Sequence, residues 1–355
     1  MFIGKHGTTS GMNTYFHMSL TLKQRWTRFT HWEYWPMWTI YLPMGPYYIF
    51  ESIRSGGLGF FTRTNPSMPT GGMGLMDKEK MYHLLPEDSF PTTSYFNSET
   101  DFNFIQKWIS TNNIQFPVVV KPAKGCRGRG VEFIHSEQNL QNLISNCEEK
   151  MVIQSLIPFN NEVGIFYVRI PGESRGRITG IVEKKGIEIT GDGVHSIKEL
   201  VAQSERYAFQ LIHLEKDSSL DFNEILPTGK TKELSSIGNH ARGATFFDVT
   251  FRNNEKLERV FNSISNQIEG FYYGRFDVKF ESWELLEKGE SFSIVELNGA
   301  NSEPTHVYDP KHSYFFALNE FKKHYKIMAE ISRKNKSLCP TLPWKKAFQL
   351  FNDLD

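Results

Sequence analysis

One segment late in the chain alternates polar and apolar residues with a period of two, and together with an apolar segment that follows it, this pattern constrains the fold more than any other feature. Tyr272 to Phe280 places Arg275 and Asp277 on one face and apolar side chains on the other, as a β-strand does. Phe292 to Leu297 has the pattern of a second strand, in which Glu296 stands among apolar residues. An unpaired charge is costly in such surroundings, which argues against a merely solvated sheet face. The pattern predicts two strands of one sheet that carry charged groups.

The same residues predict a site for metal and phosphate. Glu296 and Asn298 share a face of the second strand, so Asp277, Glu296 and Asn298 together offer two carboxylates and an amide oxygen. Mg²⁺ prefers oxygen ligands and takes few of them from protein when phosphate and water supply the rest. Arg275 can form two parallel hydrogen bonds with a phosphoryl group. A solvated sheet face is the alternative.

A glycine-rich loop earlier in the chain also indicates phosphate binding, although such loops are common. Phe116 to Lys121 is a β-branched run typical of a buried strand, and Gly125, Gly128 and Gly130 follow it. Glycines let backbone N–H groups converge on phosphate oxygens, and Lys121 adds a point charge. The pattern of a P-loop is absent, and the loop leads into a strand instead of a helix. The alternative is an ordinary hairpin with basic side chains on its surface.

Patterning along the rest of the chain predicts an α+β fold around antiparallel sheets, and not a doubly wound parallel sheet. Residues 1 to 75 are rich in glycine and aromatic side chains, have no clean period and are expected to form loops. Helices are expected at 77–85, 102–109, 136–144, 197–210, 257–268 and 322–331. Strands are expected at 116–121, 131–134, 151–156, 163–170, 177–184, 187–190, 272–280 and 292–297.

Composition excludes several classes of protein. Forty Lys and Arg residues balance forty Asp and Glu residues, so no overall charge favours nucleic acid as a partner. Cys126, Cys147 and Cys339 are odd in number and form no CxxC pair, which argues against a disulfide framework or a zinc ribbon. No signal-peptide pattern is found. These features predict a protein of the reducing cytoplasm.

An uncharged aromatic segment complicates the prediction of a cytoplasmic protein. From Tyr34 to Phe50 no residue is charged, and Trp and Tyr are frequent. The run is shorter than the ~20 apolar residues of a membrane span, and Pro36, Pro43 and Pro46 each remove a helical hydrogen-bond donor. Two alternatives to a span follow. The segment packs on the core of its own domain, or residues 30–55 contact the inner face of the membrane peripherally.

In their order and spacing, these pieces resemble the ATP-grasp superfamily over roughly Met76 to Pro310. GRFDV at 274–278 resembles a strand of D-alanine–D-alanine ligases, and IVELN at 294–298 resembles their metal strand. FPVVVKPAKGCRGRG is similar to the strand and flexible loop that close over ATP. GDGVHSIKEL at 191–200 is similar to an element of cyanophycin synthetase and related peptide ligases. The resemblance implies the ATP-grasp fold, in which two α+β subdomains grip ATP.

The resemblance also implies roles for individual residues. Lys78 would contact ATP, with Lys80 as the alternative, and Lys184 would do so with Lys185 as the alternative, because neighbouring strand residues face opposite ways. The other implied nucleotide-binding residues are Lys121, Gly125, Gly128, Gly130, Gln154, Leu156 and Glu162, with Gln154 standing where the family often has Glu. The implied metal ligands are Asp277, Glu296 and Asn298, which would hold two Mg²⁺ ions, with Mn²⁺ as an alternative. The implied catalytic residues are Arg275, Lys184 and Arg242, the last in a loop that departs from the cyanophycin synthetase pattern.

Together these roles imply an ATP-dependent carboxylate–amine ligase. ATP would phosphorylate a carboxylate, and an amine would then displace phosphate from the acylphosphate, with amino acids or peptides as the expected substrates. Two alternatives stay open: a membrane-peripheral enzyme that modifies an envelope glycan or lipid-linked substrate, and an ATP-binding protein without turnover. The oligomeric state is not indicated. The expected domains are an aromatic-rich N-terminal region at 1–75 that contacts substrate or membrane, a nucleotide-lid subdomain at 76–157, a catalytic and metal subdomain at 158–330 and a tail at 331–355.

Overall fold

The computed structural model describes residues 22–74, 76–125, 130–215, 220–235, 243–343, 345–346 and 349. The chain divides into two compact units. The first unit contains the residues up to Pro36 together with Ile189–Lys232, and the second contains Met37–Glu188 and the residues from Glu233 onward. The expected domain boundaries at 75, 157 and 330 divide the chain differently, and they stay predictions.

The strands of the described residues form three sheets. They are β1 (Thr93–Phe96), β2 (Val118–Pro122), β3 (Glu132–Ile134), β4 (Met151–Ser155), β5 (Asn161–Val168), β6 (Arg177–Lys185), β7 (Ile187–Thr190), β8 (Thr231–Ser235), β9 (Thr245–Asp248), β10 (Tyr273–Phe280) and β11 (Phe292–Asn298). A four-stranded sheet has the order β1-β4-β2-β3, a five-stranded sheet has the order β11-β10-β5-β6-β9, and β7 pairs with β8. Every pairing in the two larger sheets is antiparallel, as predicted.

The α-helices of the described residues begin at side-chain caps in most cases. They are α1 (Leu22–Thr30), α2 (Trp38–Ser55), α3 (Lys78–Tyr82), α4 (Phe102–Thr111), α5 (Glu137–Asn146), α6 (Ile197–Gln203), α7 (Leu211–Leu214), α8 (Glu255–Gln267), α9 (Trp283–Leu286) and α10 (Tyr314–Lys334). The single helix expected at 197–210 is wrong. Helix α6 ends at Gln203, and Ser204, which follows it, has extended backbone angles and accepts from the backbone N–H of Tyr207 at 3.1 Å. A separate 3-10 turn lies at Tyr207–Gln210.

Helix α2 forms in the segment that was expected to be loops, although Pro43 and Pro46 lie inside it. Pro43 cannot donate to the carbonyl of Thr39, but the hydroxyl of Tyr314 donates to that carbonyl at 2.5 Å instead. The helix ends at Gly56, which has a φ of +85°. Helix α2 packs against α10. None of the described helices combines the length and the apolar character that crossing a membrane requires.

The segment that follows α2 is anchored to the five-stranded sheet by a buried amide. Asn65 donates to the carbonyls of Gly71 and Tyr273 at 2.9 and 2.8 Å and accepts from the backbone N–H groups of Tyr272 and Tyr273. The backbone N–H of Ala300, just after β11, donates to the Gly71 carbonyl at 3.0 Å. The chain around residues 65–72 therefore lies directly beside the end of β11.

Candidate active site

Strand β10 carries the centre of the candidate site because its pairing places charged side chains side by side. On β11, Asn298 lies opposite Arg275 and Glu296 lies opposite Asp277. Residues that are directly opposite in an antiparallel pair project from the same face, so all four share one face. On β5, Gly164 lies opposite Asp277. A Cβ at that position would lie 3.1 Å from Arg275 Cδ and 3.2 Å from Asp277 Oδ1, so the glycine leaves room for both side chains.

Asp277 is the shared partner of two buried cations. Arg275 donates from Nε to Oδ1 at 2.8 Å and from Nη2 to Oδ2 at 3.0 Å. The ammonium of Lys184 lies 3.1 Å from Asp277 Oδ1 and 2.8 Å from Glu162 Oε1. Burial acts to raise the pKa of Asp277, but Arg275 and Lys184 outweigh it and lower that pKa to about 2. The carboxylate is therefore ionised at neutral pH, and its charge is balanced within the site.

Of the two neighbouring lysines on β6, the structure places Lys184 at the site. Its side chain is 6% exposed, whereas that of Lys185 is 61% exposed and lies 3.9 Å from Glu183. Burial acts to lower the pKa of Lys184, but Asp277 and Glu162 hold it above the ordinary lysine value. The ammonium therefore stays charged, and its contact with ATP remains a prediction.

Glu296 and Asn298 line a small cavity together with Lys78 and Gly125. Among the described residues, the side chain of Glu296 makes no hydrogen bond or ion pair. The side-chain nitrogen of Asn298 lies 3.5 Å from Asp277 Oδ2. These oxygens suit Mg²⁺, and a cation would also relieve the repulsion between the directly opposed carboxylates of Asp277 and Glu296. The described part of the chain holds no cluster of three or more His, Cys, Asp and Glu side chains that would bind a metal.

Of the other lysine pair, the structure places Lys78 at this cavity. Lys78 begins α3, and its ammonium donates to the carbonyls of Pro122 and Gly125, both at 3.0 Å. Lys80 instead lines a different cavity, which includes His83. Lys78 therefore holds the start of the glycine-rich loop beside Glu296 and Asn298.

Lys121 is buried in the second unit and bonds to a tyrosine that the sequence did not single out. Its ammonium donates to the hydroxyl of Tyr82 at 2.9 Å, and that hydroxyl donates to the carbonyl of Val295 at 2.7 Å. The side-chain oxygen of Gln154 lies 3.3 Å from the same hydroxyl. Burial lowers the pKa of Lys121 to about 8, with Glu296 acting in the opposite direction. Tyr82 thus links the four-stranded sheet to β11, and only its place in an apolar helical pattern hinted at a buried position.

The remaining predicted residues differ in their placement. Gly130 has a φ of +68°, and a Cβ there would lie 2.9 Å from Pro122 Cγ, so the loop needs glycine at this point. Leu156 follows β4, and its side chain is exposed, so its predicted contact with adenine would use the backbone. Gly128 and Arg242 lie outside the described residues.

The GDGVHSIKEL element forms a turn and a helix cap in the first unit. Asp192 accepts from the backbone N–H groups of Val194 and His195 at 2.9 and 2.8 Å. Ser196 and Glu199 form a reciprocal capping box at the start of α6. These contacts explain the element as local structure within the first unit.

Residues 83–207 match the family model of the ATP-grasp domain. The chain contains an ATP-grasp domain. The predicted family and the α+β ATP-grasp fold class are confirmed, and the match supports the prediction of an ATP-dependent ligase. The match covers Lys121, Gln154, Glu162 and Lys184. It ends before β10 and β11, so the contribution of these two strands rests on their geometry.

Individual curated proteins match only parts of this chain, and at low sequence identity. The formate-dependent phosphoribosylglycinamide formyltransferase of Bacillus subtilis (strain 168) is 26% identical over 206 residues, which cover 49% of this chain and 53% of that protein. The protein of the same name from Yersinia pestis (strain Pestoides F) is 28% identical over 102 residues, which cover 26% of this chain and 25% of that one. The chain therefore spans about half, or less, of the length of these curated relatives.

Two solved structures show a partial likeness in fold. The D-alanine–D-alanine ligase from Bacillus anthracis matches with a TM-score of 0.43 and 16% identity, covering 76% of this chain and 71% of that chain. The D-cycloserine synthetase DcsG matches with a TM-score of 0.41 and 12% identity, covering 83% and 81%. Such values are too low to assign roles to residues.

Proposed function

We propose that this ATP-grasp protein is an ATP-dependent carboxylate–amine ligase that works through an acylphosphate. The observation that carries the proposal is the single charged face of β10 and β11, where Asp277 and Glu296 stand beside Arg275 and Lys184. Burying so many charges costs free energy unless each has a partner. Such a cluster is an unusual way to stabilise a fold, whereas an enzyme that transfers a phosphoryl group needs charged groups of both signs side by side.

Lysine side chains would bind the phosphates of ATP. Lys78 and Lys184 both end beside the face that carries Asp277 and Glu296, and Lys121 is buried nearby within electrostatic reach of Glu296. In this proposal the backbone at Gln154 and Leu156 contacts adenine. The carboxylate of Glu162, now 2.8 Å from Lys184, accepts from the ribose hydroxyls.

Asp277, Glu296 and Asn298 would hold Mg²⁺, two ions in this proposal, and the same oxygen donors accept Mn²⁺. When bound, the metal neutralises phosphate charge and fixes the phosphate oxygens for in-line transfer. The fit rests on the cavity beside Glu296, whose carboxylate has no hydrogen-bond or ion-pair partner among the described residues. Asp277 is already engaged by two cations, so it would share its oxygens with Arg275 and Lys184.

The chemistry follows in two steps. A carboxylate oxygen of the first substrate attacks the γ-phosphorus, the bond from that phosphorus to ADP breaks, and an acylphosphate forms. Arg275 and Lys184 bind the phosphoryl oxygens as negative charge shifts toward ADP. The nitrogen of the amine then attacks the acyl carbon, the bond to phosphate breaks, and the nitrogen gives up a proton. The glycine-rich loop held by Lys78 would exclude water, which would otherwise hydrolyse the acylphosphate.

A screen for ADP release tests this function. Purified protein is incubated with MgATP and with pools of carboxylates and amines, and the products are identified by mass spectrometry. Amino acids and small peptides belong in the pools, and formate belongs there because the curated relatives are named as formate-dependent. ADP release that requires both a carboxylate and an amine supports the ligase. ATP binding without ADP release in any pool would instead indicate an ATP-binding protein without turnover.

A second candidate function, a membrane-peripheral enzyme that acts on a glycan or lipid-linked substrate, is favoured by the surface of α2. Trp38, Leu42 and Ile53 lie on one side of this helix and are 63%, 70% and 76% exposed. Arg54, at the C-terminal end of the same helix, is half exposed and would meet anionic headgroups. On either proposal the enzyme works in the cytoplasm, and in this second one it works at the inner face of the membrane.

Vesicle flotation separates the two candidates. The intact protein is mixed at low salt with neutral vesicles or with vesicles that contain anionic lipid. Flotation that needs anionic lipid and is lost in the double variant Leu42→Ser, Ile53→Ser supports membrane attachment. Phe251→Ser is the matched control, because Phe251 is 78% exposed in the 3-10 turn Thr250–Arg252. An intact protein that never floats removes the membrane candidate.

A further inference from the structure

The loop after β11 contains a carboxylate that the proposed phosphoryl transfer does not use. Glu303 stands in the segment that links Asn298 to the 3-10 helix Thr305–Tyr308. Among the described residues, no Lys, Arg or His side chain forms an ion pair with Glu303. Its two oxygens are held by tyrosines instead. The hydroxyl of Tyr308 donates to Oε2 at 2.9 Å, and the hydroxyl of Tyr41 donates to Oε1.

These tyrosines come from two separate elements. Tyr308 is buried in the 3-10 helix, whereas Tyr41 is a half-exposed residue of α2 and stacks edge to face on Phe321 of α10 at 6.0 Å. Tyr41 belongs to the N-terminal region at 1–75, which the sequence predicts to contact substrate or membrane. The contact therefore brings α2 beside the loop that carries Glu303.

Glu303 also lies near the strand that carries the proposed catalytic arginine. Tyr273 and Arg275 are on the same face of β10, one pleat apart, and burial raises the pKa of Tyr273, with Tyr325 and Glu303 adding to the effect. The charge of Glu303 likewise acts on Arg275, whose guanidinium is already paired with Asp277. The loop that carries Glu303 also reaches the proposed metal site, because Asn301, two residues earlier, lines the same cavity as Glu296 and Asn298.

The chemistry of this group suits a cation. An ionised carboxylate offers about four lone-pair positions, and the two hydroxyl donors occupy only part of them. Aromatic rings beside a carboxylate attract ammonium groups through their negative faces. A negative charge without a protein cation is costly in a partly buried position, and a positively charged ligand would remove that cost.

We propose that Glu303, positioned by Tyr41 and Tyr308, binds the ammonium group of the amine acceptor, so that the enzyme selects cationic amines over neutral or anionic ones. The proposal rests on the proposed ligase function. Glu303 is a binding residue in it, and the bond changes are those of the ligase reaction. The ammonium loses its proton to water before the nitrogen attacks the acyl carbon.

Hydroxylamine provides the test, because it attacks acylphosphates and is uncharged at neutral pH. The carboxylate found in the ADP-release screen is held constant, and the acceptor is either a cationic primary amine from the screen or hydroxylamine. In Glu303→Gln, KM for the cationic amine is expected to rise about 10- to 100-fold, since a hydrogen-bonded charge is lost. Hydroxamate formation is expected to change by less than about threefold, because hydroxylamine does not need the carboxylate's charge. The control Glu290→Gln, an exposed loop residue, should change neither value.

The outcomes separate the two proposals. If the wild type forms hydroxamate and amide but Glu303→Gln keeps the same KM for the cationic amine, the acceptor proposal alone is overturned. If the wild type forms neither product with any carboxylate, the ligase proposal fails and the acceptor proposal falls with it. If Glu303→Gln does not fold, Tyr41→Phe and Tyr308→Phe decide, because each keeps the carboxylate and removes one donor. Each is expected to raise KM for the cationic amine about 2- to 10-fold with hydroxamate formation retained, and no rise in either variant overturns the proposal.

Discussion

Strand β10 and helix α2 belong to the same compact unit and depart from the usual distribution of side chains in opposite directions. Strand β10 keeps charged groups inside, since Asp277 is buried and is paired with Arg275 and Lys184. Helix α2 leaves apolar groups outside, with Leu42 and Ile53 more than two thirds exposed. Proteins rarely bury charges without partners, and they rarely expose rows of large apolar side chains.

The two regions differ in whether other residues offset the free-energy cost of this unusual placement of side chains. The charges of β10 find partners on β6 and β10 itself, so a ligand there must share or exchange contacts that already exist. The exposed side of α2 has no such compensation within the described residues. The first region should therefore respond strongly to the loss of one partner, and the second should respond weakly in stability even where binding is affected.

The largest effect is expected for Arg275→Ala, which leaves Asp277 without its bidentate partner. Removing one member of a buried ion pair costs about 3 to 5 kcal/mol, so the free energy of unfolding in urea at pH 7 should fall by that amount. ADP release should be lost as well. Arg259→Ala, which removes only an exposed pair with Glu255, should cost less than about 1 kcal/mol. Equal losses of unfolding free energy in the two variants would show that the pair of Arg275 and Asp277 contributes no more to stability than an exposed pair.

The same variant should change the pH dependence of stability. Asp277 has a lowered pKa in the folded protein, so its stabilising contribution is complete above the ordinary Asp pKa of ~3.9 and is lost as the pH falls toward about 2. Without Arg275, the pKa of Asp277 in the folded protein should move closer to the unfolded value, so the loss of stability at acid pH should be smaller than in the wild type. Urea unfolding measured between pH 3 and pH 6 compares the two proteins, and superimposable pH profiles would contradict the assigned cause of the shift.

Glu296→Gln should separate activity from stability. The variant keeps the shape of the side chain but removes a charge that has no hydrogen-bond or ion-pair partner among the described residues, so unfolding should change little. Metal-dependent ADP release should fall by about 100-fold or more, because charge stabilisation of the transferred phosphoryl group is lost. Normal turnover would remove the metal assignment, and a large loss of stability would show that Glu296 has a structural partner.

Lys121→Met tests a buried charge whose cost depends on pH. Burial lowers the pKa of Lys121 to about 8, whereas an unfolded lysine titrates near ~10.4. The unfolded chain binds more protons than the folded protein between these values, so wild-type stability should rise with pH across that range relative to the variant. Chemical unfolding from pH 7 to pH 10 measures the difference. A constant difference would mean that Lys121 titrates normally.

The Lys121 variant should also respond less to nucleotide. A ligand that binds only the folded protein raises the melting temperature by mass action. ATP or a non-hydrolysable analogue should therefore raise the melting temperature of the wild type more than that of Lys121→Met. No rise in the wild type would contradict the nucleotide site itself.

The smallest effect is expected on the exposed side of α2. The double variant Leu42→Ser, Ile53→Ser should change the free energy of unfolding by about 0.5 kcal/mol or less, since these side chains pack against little. Ile40→Ala, on the buried side of the same helix, should cost about 2 to 5 kcal/mol. Similar losses on both sides would show that the exposed row is covered in solution.

Local patterning accounts for much of the fold. The period of two in 272–280 and the apolar run at 292–297 predicted two strands that carry Asp277 and Glu296, because a side chain's face follows from its position in the strand. Strand β2 and the order of the helices after α3 follow from similar short-range signals. The expected helix at 197–210 failed because the backbone becomes extended at Ser204, whose hydroxyl accepts from the backbone N–H of Tyr207, a local competition that the apolar pattern did not indicate.

Other features were decided by contacts between residues far apart in the chain. Sequence alone left open Lys184 or Lys185 and Lys78 or Lys80, because each choice depends on which neighbouring element supplies partners such as Asp277. Helix α2 accommodates Pro43, which cannot donate to the carbonyl of Thr39, in part because the hydroxyl of Tyr314, 275 positions after Thr39, donates to that carbonyl. The same long-range packing brings the hydroxyl of Tyr41 to the carboxylate of Glu303, a contact that no local sequence pattern indicates. The physical reason is that a buried or half-buried polar group costs free energy until it has a hydrogen-bond partner, and only the tertiary structure supplies that partner.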